Sequence, residues 1–143
     1  MELQVRQATI EDASAIASLS HELGYDISPA KTKELIQEIA RDQQHIIYVA
    51  VAGSEIIGWI HAFRTARVES GVFCEIAGMV VTEKRREKGV GWLMVHHIKE
   101  WCKEMNVGNL RVRCNEKRVG AHQFYKQIGF QEVKSQKVFT IEL

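Results

Sequence analysis

Apolar and polar positions alternate or recur along the whole chain, and their spacing divides it into short strands and amphipathic helices. Period-two runs rich in β-branched residues predict strands at 2–8, 46–52, 56–64, 74–82, 109–114, 130–134 and 137–142. Apolar positions near the 3.6-residue period predict helices that begin at Thr9, Ser28, Gly89 and Gly120. The order β-α-α-β-β-β-α-β-α-β-β predicts an α/β (α+β) layer domain, a mixed sheet with helices on its faces.

Local signals at the ends of these elements support the assignment. Thr9 with Asp12 three residues later resembles a capping box. Ser28 followed by Pro29 is a strong helix start, because Pro is pre-organised for the first helical position. The segment 53–55 (Gly-Ser-Glu) predicts a hairpin between two strands, and Gly129 can end the last helix in a left-handed conformation.

Composition limits the class of protein. The length of 143 residues and the 45% hydrophobic content predict a single globular domain over 1–143. The net charge of +1 argues against a dedicated binder of nucleic acid or of membrane surfaces. No secretory signal opens the chain, and no apolar run approaches the ~18–20 residues of a membrane span. Three cysteines without CxxC spacing (Cys74, Cys102 and Cys114) suggest reduced thiols, so we expect a cytoplasmic protein.

The segment 79–92 joins a predicted strand to the longest predicted helix. Gly89 and Gly91 allow close approach of the backbone to a ligand, and the first-turn N–H groups of the helix have no intrahelical acceptor. The nearby cations are Lys84, Arg85, Arg86 and Lys88. Together these features predict a phosphate or pyrophosphate site, with a solvated basic loop as the alternative. The pattern is neither a P-loop nor a dinucleotide fingerprint, since Met94 stands at the third glycine position.

Two motifs resemble those of the GNAT acetyltransferases. The first is Arg86-x-x-Gly89-x-Gly91 after a valine-rich strand. The second consists of Asn115, then Ala121-His122-Gln123-Phe124-Tyr125, then Gly129-Phe130. The element order also fits, so the resemblance covers essentially the whole chain. It implies the GNAT fold, a central mixed and mostly antiparallel sheet that is splayed at the cofactor site, with helices on both faces.

The resemblance also implies acetyl-CoA as co-substrate and no metal. The pantetheine arm would contact backbone groups of Met79, Val80 and Val81 and the side chain of Asn115. The pyrophosphate would rest on backbone amides of Arg86, Glu87, Lys88, Gly89, Val90 and Gly91. Glu87 departs from the expected pattern, because an anion inside a phosphate loop is unfavourable, and we expect it to face solvent.

Two residues are assigned to catalysis. Tyr125 would protonate the departing thiolate, a role suited to a hydroxyl with a reference pKa of ~10. Glu75 is the candidate general base, acting through water. Each assignment has a structural alternative: Tyr125 as packing beside Phe124, Glu75 as a surface strand residue, and Asn115 as the cap of a turn. The six histidines show no metal-ligand spacing.

The function expected from the resemblance is acetyl transfer to a primary amine of a small molecule, by direct attack in a ternary complex. The close of the chain is similar to small bacterial members that acetylate aminoglycosides or aminoalkylphosphonates. Residues 21–28 and 61–75 would line the acceptor side, where His61 and Arg64 could frame a pocket. A cationic amine would be favoured there by Glu22, Asp26, Glu69 and Glu75.

Two other functions stay open: an acetyltransferase for protein or peptide amines, and a non-catalytic acyl-CoA sensor. No nucleic-acid or membrane partner is expected. The sequence leaves a homodimer undecided.

Overall fold

The computed structural model describes residues 2–85 and 89–143. The strands are β1 (Leu3–Gln7), β2 (His45–Ala52), β3 (Glu55–Arg67), β4 (Gly71–Val81) and β5 (Leu110–Val112). The helices are α1 (Ala13–Glu22), α2 (Pro29–Ala40), α3 (Val90–Glu104) and α4 (Val119–Gln127), with short 3-10 turns at Ile10–Asp12 and Glu83–Arg85. None of the helices in these two ranges is long and apolar enough to cross a membrane.

The chain forms two compact units, one ending at Arg113 and the other beginning at Cys114. The first contains the whole sheet with α1, α2 and α3, and the second contains α4 and the segment that follows it. The single domain over 1–143 therefore stays a prediction.

The sheet has the strand order β1-β2-β3-β4-β5. The first three pairings are antiparallel, and β4 with β5 is parallel. This confirms the predicted mixed, mostly antiparallel sheet. The β2–β3 hairpin turns at Gly53, which has the positive φ of 64° that glycine adopts without steric cost, and Ser54.

Neighbouring residues of β2 show that helices cover both faces of the sheet. Val49 packs in one buried cluster with Ala13 and Ile16 of α1 and with Ile36 of α2. Tyr48, the preceding residue, meets the ring of His97 on α3 edge-on at 5.5 Å. Because successive side chains of a strand point to opposite faces, α1 and α2 lie on one face and α3 on the other.

The helix starts confirm the local predictions. Ser28 Oγ accepts a hydrogen bond from the backbone N–H of Lys31 at 3.1 Å, and Pro29 is the first residue of α2. The Thr9 N–H donates to the carboxylate of Asp12 at 2.8 Å. Arg6 holds the same carboxylate with two contacts of 2.9 Å, which lowers the pKa of this buried Asp.

The link between β3 and β4 is shorter than the stretch 65–73 that separates the two predicted strands. Residues 65–67 and 71–73, expected to line an acceptor site as a loop, belong to the two strands, which turn at 68–70. Thr65 pairs with Phe73, and Ala66 pairs with Val72. The polar and exposed character of this stretch hides its strand content, because backbone pairing extends the hairpin beyond its apolar part.

The two predicted closing strands at 130–134 and 137–142 are wrong. No helix or strand is formed between 130 and 143, and Val133, Val138, Phe139 and Ile141 are 81–87% exposed. A strand requires a neighbour for its N–H and C=O groups, and nothing between 114 and 143 pairs with this segment as a strand. Alternation of apolar residues alone does not supply that partner.

Replacing Gly58 with Ala should destabilise the fold at the strand that leads to the candidate site. An added Cβ would lie 2.9 Å from the backbone oxygen of Val80 and 3.1 Å from the terminal methyl of Met94. The Met94 side chain can move, but the β4 backbone cannot move without shifting its pairing. We expect a loss of about 1–3 kcal/mol in the free energy of unfolding, measured by chemical denaturation. An unchanged unfolding midpoint would contradict this packing.

Candidate functional site

Strand β4 has an open edge beyond its short pairing with β5. The parallel ladder joins Cys74 with Leu110, Glu75 with Arg111 and Ile76 with Val112. From Gly78 to Val81, β4 remains paired with β3 but has no β5 partner. The edge of β4 is therefore unpaired at the point where the resemblance implied a splayed sheet.

A bulge at Ala77 determines which backbone groups face the open edge. Ala62 pairs with Ile76 and His61 pairs with Gly78, so Ala77 is the extra residue. The Thr82 N–H donates to the Ile57 oxygen at 2.9 Å. This bond fixes which residues of β4 after the bulge direct their backbone groups towards β3 and which direct them away from it. In that register the N–H and C=O groups of Met79 and Val81 face the open edge. The N–H and C=O groups of Val80 face β3, so they could not make the contact with pantetheine that the resemblance implied.

Helix α3 begins at Val90, directly after Gly89. Gly89 has φ of 95°, a left-handed conformation, and its carbonyl accepts the N–H of Leu93 at 2.8 Å. The first-turn N–H groups of Val90 and Gly91 lack intrahelical acceptors and carry the positive end of the helix dipole. This arrangement can bind an anion.

The remaining amides of the expected pyrophosphate site, those of Arg86, Glu87 and Lys88, lie outside the described residues. Their roles, and the outward orientation expected for Glu87, stay predictions.

Glu22, at the end of α1, anchors the end of β4. Its two carboxylate oxygens each lie 3.0 Å from the Thr82 hydroxyl, and one accepts the Glu83 N–H at 3.1 Å. Thr82 is buried. The structure thus shows Glu22 holding the end of β4, whereas the sequence suggested contact with a cationic acceptor, which stays a prediction. No local signal could reveal an interaction between residues sixty positions apart.

Glu75 is buried on β4, which contradicts its alternative interpretation as a surface residue. Its side chain is 10% exposed, and its Oε1 lies 3.2 Å from Arg113 Nε. The direction of that contact is poor for a hydrogen bond, so Oε1 has no donor among the residues that the structure describes. A buried carboxylate oxygen without a donor is costly, and it is available to a proton, a water molecule or a substrate.

His61 and Arg64 were expected to frame one acceptor pocket. They are three positions apart on β3, so their side chains lie on opposite faces of the sheet. Arg64 donates to the side chain of Gln44 at 3.0 Å. Only His61 shares a face with Phe63, the cross-strand partner of Glu75. The other acidic candidates, Asp26 and Glu69, are exposed.

In the second unit, Tyr125 is a buried residue of α4. Its ring meets those of Phe124 and Phe130 edge-on, with centroid separations of 5.1 and 5.4 Å. Burial, helped by the nearby Cys114, raises the pKa of Tyr125 to about 12, although Arg118 opposes the shift. The hydroxyl is therefore protonated at neutral pH, as a proton donor must be.

Asn115 occupies the turn before α4. Its side-chain oxygen accepts the Lys117 N–H at 3.0 Å, and its backbone oxygen accepts the Arg118 N–H at 2.9 Å. The ring Nε2 of His122 lies 2.8 Å from the same backbone oxygen. These contacts agree with the turn-capping interpretation, and the pantetheine contact stays a prediction.

The cysteines behave as packing residues. Cys74 and Cys102 are buried, and Cys114 is half-buried. Burial raises the pKa of all three thiols, that of Cys102 to about 12. Protonated thiols are poor nucleophiles, so the structure gives no support to an acyl-cysteine route.

Replacing Gly89 with Ala should strain the start of α3. An added Cβ would meet nothing within 4 Å, so the cost would come from the positive φ alone. We expect a loss of about 1–2 kcal/mol in unfolding free energy. Gly108→Ala is the matched control, since Gly108 also has open space but no positive φ. Equal unfolding midpoints for the two variants in thermal denaturation would contradict the left-handed assignment.

Comparison with known sequences gives one family. The profile of the Acetyltransferase (GNAT) family matches residues 11–130. No curated protein matches the chain.

Solved structures with the same fold include several acetyltransferases. The aminoglycoside 6'-N-acetyltransferase AAC(6')-IG from Acinetobacter haemolyticus has a TM-score of 0.85 at 15% identity, covering 98% of this chain and 99% of its own. AAC(6')-Iy, solved with the bisubstrate analogue CoA-S-monomethyl-acetylneamine, has a TM-score of 0.86 at 14% identity, with both chains covered completely. Glucosamine-6-phosphate N-acetyltransferase from Arabidopsis thaliana has a TM-score of 0.82 at 19% identity, covering 99% and 100%. At these identities the likeness concerns the fold.

Proposed function

Since the chain belongs to the Acetyltransferase (GNAT) family, we propose that it transfers the acetyl group of acetyl-CoA to a primary amine of a small molecule. The observation that carries the proposal is the open edge of β4, which leads through the Glu22 anchor to the glycine start of α3. An extended pantetheine arm needs backbone partners along its length, and a pyrophosphate needs unpaired amides. The residues of the first unit supply both.

For the co-substrate, we assign the backbone groups of Met79 and Val81 to the pantetheine arm. The amides of Val90 and Gly91, together with those of the loop before them, would hold the pyrophosphate. Arg86 and Lys88 would add positive charge, and Asn115 would contact the pantetheine.

For the chemistry, the amine must lose protons and the thiolate must gain one. Glu75 supplies a buried carboxylate whose Oε1 lies 3.2 Å from Arg113 but has no hydrogen-bond donor among the described residues, which suits it to accept a proton directly or through water. Tyr125 supplies a hydroxyl that stays protonated throughout the neutral range. A backbone N–H on the open edge of β4 can stabilise the oxyanion of the tetrahedral intermediate. Attack then proceeds directly within a ternary complex.

For the acceptor, the fold neighbours that act on aminoglycosides and on glucosamine 6-phosphate support a small amine. The free cysteines fit a reducing compartment, and we place the protein in the cytoplasm.

The test is release of free thiol from acetyl-CoA in the presence of a panel of amines, including aminoglycosides, amino sugars, aminoalkylphosphonates and lysine peptides. We expect thiol release that depends on at least one small primary amine. Release with peptides alone would identify a protein or peptide acetyltransferase. Tight acetyl-CoA binding without release by any amine would identify a sensor and overturn the proposal.

A further inference from the structure

Two histidines on neighbouring strands are joined through their rings on the face that carries Glu75. His45 opens β2 and His61 lies in the middle of β3. Nδ1 of His45 lies 2.9 Å from Nε2 of His61, and the two rings stack at 5.1 Å. On its other side, Nε2 of His45 lies 3.7 Å from a carboxylate oxygen of Asp42. The three groups form a row from the sheet to the surface.

The turn that carries this row is fixed by several hydrogen bonds. Asp42 accepts the backbone N–H of Gln44 at 2.9 Å with its side chain and that of His45 at 3.1 Å with its backbone oxygen. Gln44 in turn accepts the Arg64 side chain at 3.0 Å and the Arg64 backbone N–H at 2.7 Å. Asp42 and His45 are thereby held against β3, so the alignment does not depend on mobile side chains alone.

Which ring nitrogen donates in the contact between the two histidines depends on their tautomers, and the facing Asp42 carboxylate favours one arrangement. The carboxylate of Asp42 favours a proton on the facing Nε2 of His45. Neutral His45 then has a lone pair on Nδ1, and the hydrogen bond between the rings requires Nε2 of His61 to donate. Nδ1 of His61 is left with its lone pair. A histidine held in this tautomer is prepared to accept a proton at Nδ1.

His61 lies on β3 opposite the part of β4 that has the open edge. It pairs with Gly78, the residue between the Ala77 bulge and Met79. Asp42 and His45 face it from the β2 side, and Glu75 with its neighbour Arg113 lies on the β4 and β5 side of the same face. In the described part of the chain, no group of three or more His, Cys, Asp or Glu side chains could hold a metal ion. Proton transfer is therefore a better use of this row than metal binding.

We propose that His61 is a second proton acceptor of the acetyl transfer, with His45 and Asp42 as its positioning residues. The inference rests on the proposed function. An amine that arrives as an ammonium ion must lose two protons, one before it attacks and one after the C–N bond has formed. Glu75 takes one proton and His61 takes the other.

The proton taken from the amine is accounted for within the row of Asp42, His45 and His61. An N–H bond of the acceptor breaks and its proton binds Nδ1 of His61, while the proton on Nε2 of His61 moves to Nδ1 of His45. The positive charge then resides on His45 beside the Asp42 carboxylate. The extra proton leaves to water when the product departs. The C–S bond breaks separately, and the thiolate receives its proton from Tyr125.

Electrostatics agree with a neutral His61 at rest. Burial, and to a lesser degree the neighbouring His45, lower the pKa of His61 to about 4. The two rings cannot both be charged at this distance, so the pair takes up one proton as a unit.

The first arm of the test is NMR of nitrogen-15-labelled histidines in the free protein near pH 7. We expect His61 to carry its proton on Nε2 with Nδ1 unprotonated, and His45 to be protonated on Nε2. The opposite tautomer of His61 would overturn the proposal. This result does not depend on acetyl transfer, so it separates failure of the histidine proposal from failure of the proposed function.

The second arm is kinetics with the best amine of the panel. We expect His61→Gln to lower the plateau of kcat/KM by about 10²-fold, and His45→Gln to lower it less. Asp42→Asn should change the pH profile of kcat/KM, because it removes the carboxylate that faces the positive charge of the row.

His96→Gln and Glu34→Gln are the matched controls, since both residues are exposed and lie outside the row. Circular dichroism confirms folding. Wild-type kcat/KM and an unmoved pH profile in the folded His61 and Asp42 variants would overturn the proposal, whereas no transfer by the wild-type protein would instead refute the proposed function.

Discussion

Tyr125→Phe is expected to lower kcat by about 10²–10⁴-fold while acetyl-CoA affinity changes little. The hydroxyl acts mainly when the C–S bond breaks, so its loss removes a transition-state interaction rather than a ground-state one. The aromatic ring remains, and its edge-on contacts with Phe124 and Phe130 are retained. Steady-state kinetics and calorimetric titration with acetyl-CoA measure the two effects separately.

The raised pKa of Tyr125 also predicts how the wild-type rate depends on pH. Because the hydroxyl titrates at about 12, its ionisation should not reduce the wild-type rate below about pH 10. Tyr48→Phe is the matched control, since burial also raises the pKa of Tyr48 and that residue packs against α3 instead. Wild-type turnover in Tyr125→Phe would remove the general-acid role, and joint loss of rate and binding would show a structural role.

Gly91→Val should weaken acetyl-CoA binding by at least about tenfold, or ~1.4 kcal/mol. Gly91 is the second residue of α3, and a branched side chain there would block the approach of the pyrophosphate to the first-turn amides. The fold should tolerate the change, because Val has a higher helix propensity than Gly. Calorimetry measures the affinity, and circular dichroism verifies folding.

Two further variants test whether the loss of acetyl-CoA affinity arises at the start of α3. Gly120→Val is closely matched, because α4 also begins with Val-Gly and Gly120 has open space around it. We expect Gly120→Val to retain wild-type affinity. Arg86→Ala should cost about 1–2 kcal/mol, since a charge-assisted contact is lost while the amides remain. Unchanged affinity in folded Gly91→Val would exclude this helix start from the acetyl-CoA site.

Elements that depend on local signals were predictable from the sequence. Ser28-Pro29 begins α2, the glycine at 53 turns the first hairpin, and Gly129 has the left-handed φ of 107° expected after α4. In each case the conformation is selected by the residue itself or by its immediate neighbours. The prediction of two closing strands was wrong because the same alternating pattern also fits an exposed segment that has no partner strand.

Prediction of the candidate site from the sequence has the same limit, because it reaches only local signals. The glycines at 89 and 91 and the tyrosine at 125 are visible as motifs, but the bulge at Ala77 is not, because it is a property of pairing between two strands. Likewise, the contacts of Glu22 with Thr82 and of His45 with His61 join residues far apart in sequence. Only the strand register brings these side chains together.

Acetyl transfer from acetyl-CoA to an amine nitrogen can be followed in a single experiment. The protein is incubated with acetyl-CoA labelled with carbon-13 at the acetyl carbonyl and with the best amine of the panel, and the labelled carbonyl is followed by NMR while free thiol is counted. We predict that the thioester signal converts to an acetamide signal with one acetamide for each thiol released. Thiol release without acetamide, or an unchanged thioester in the presence of bound acetyl-CoA and every amine tested, would contradict acetyl transfer to nitrogen.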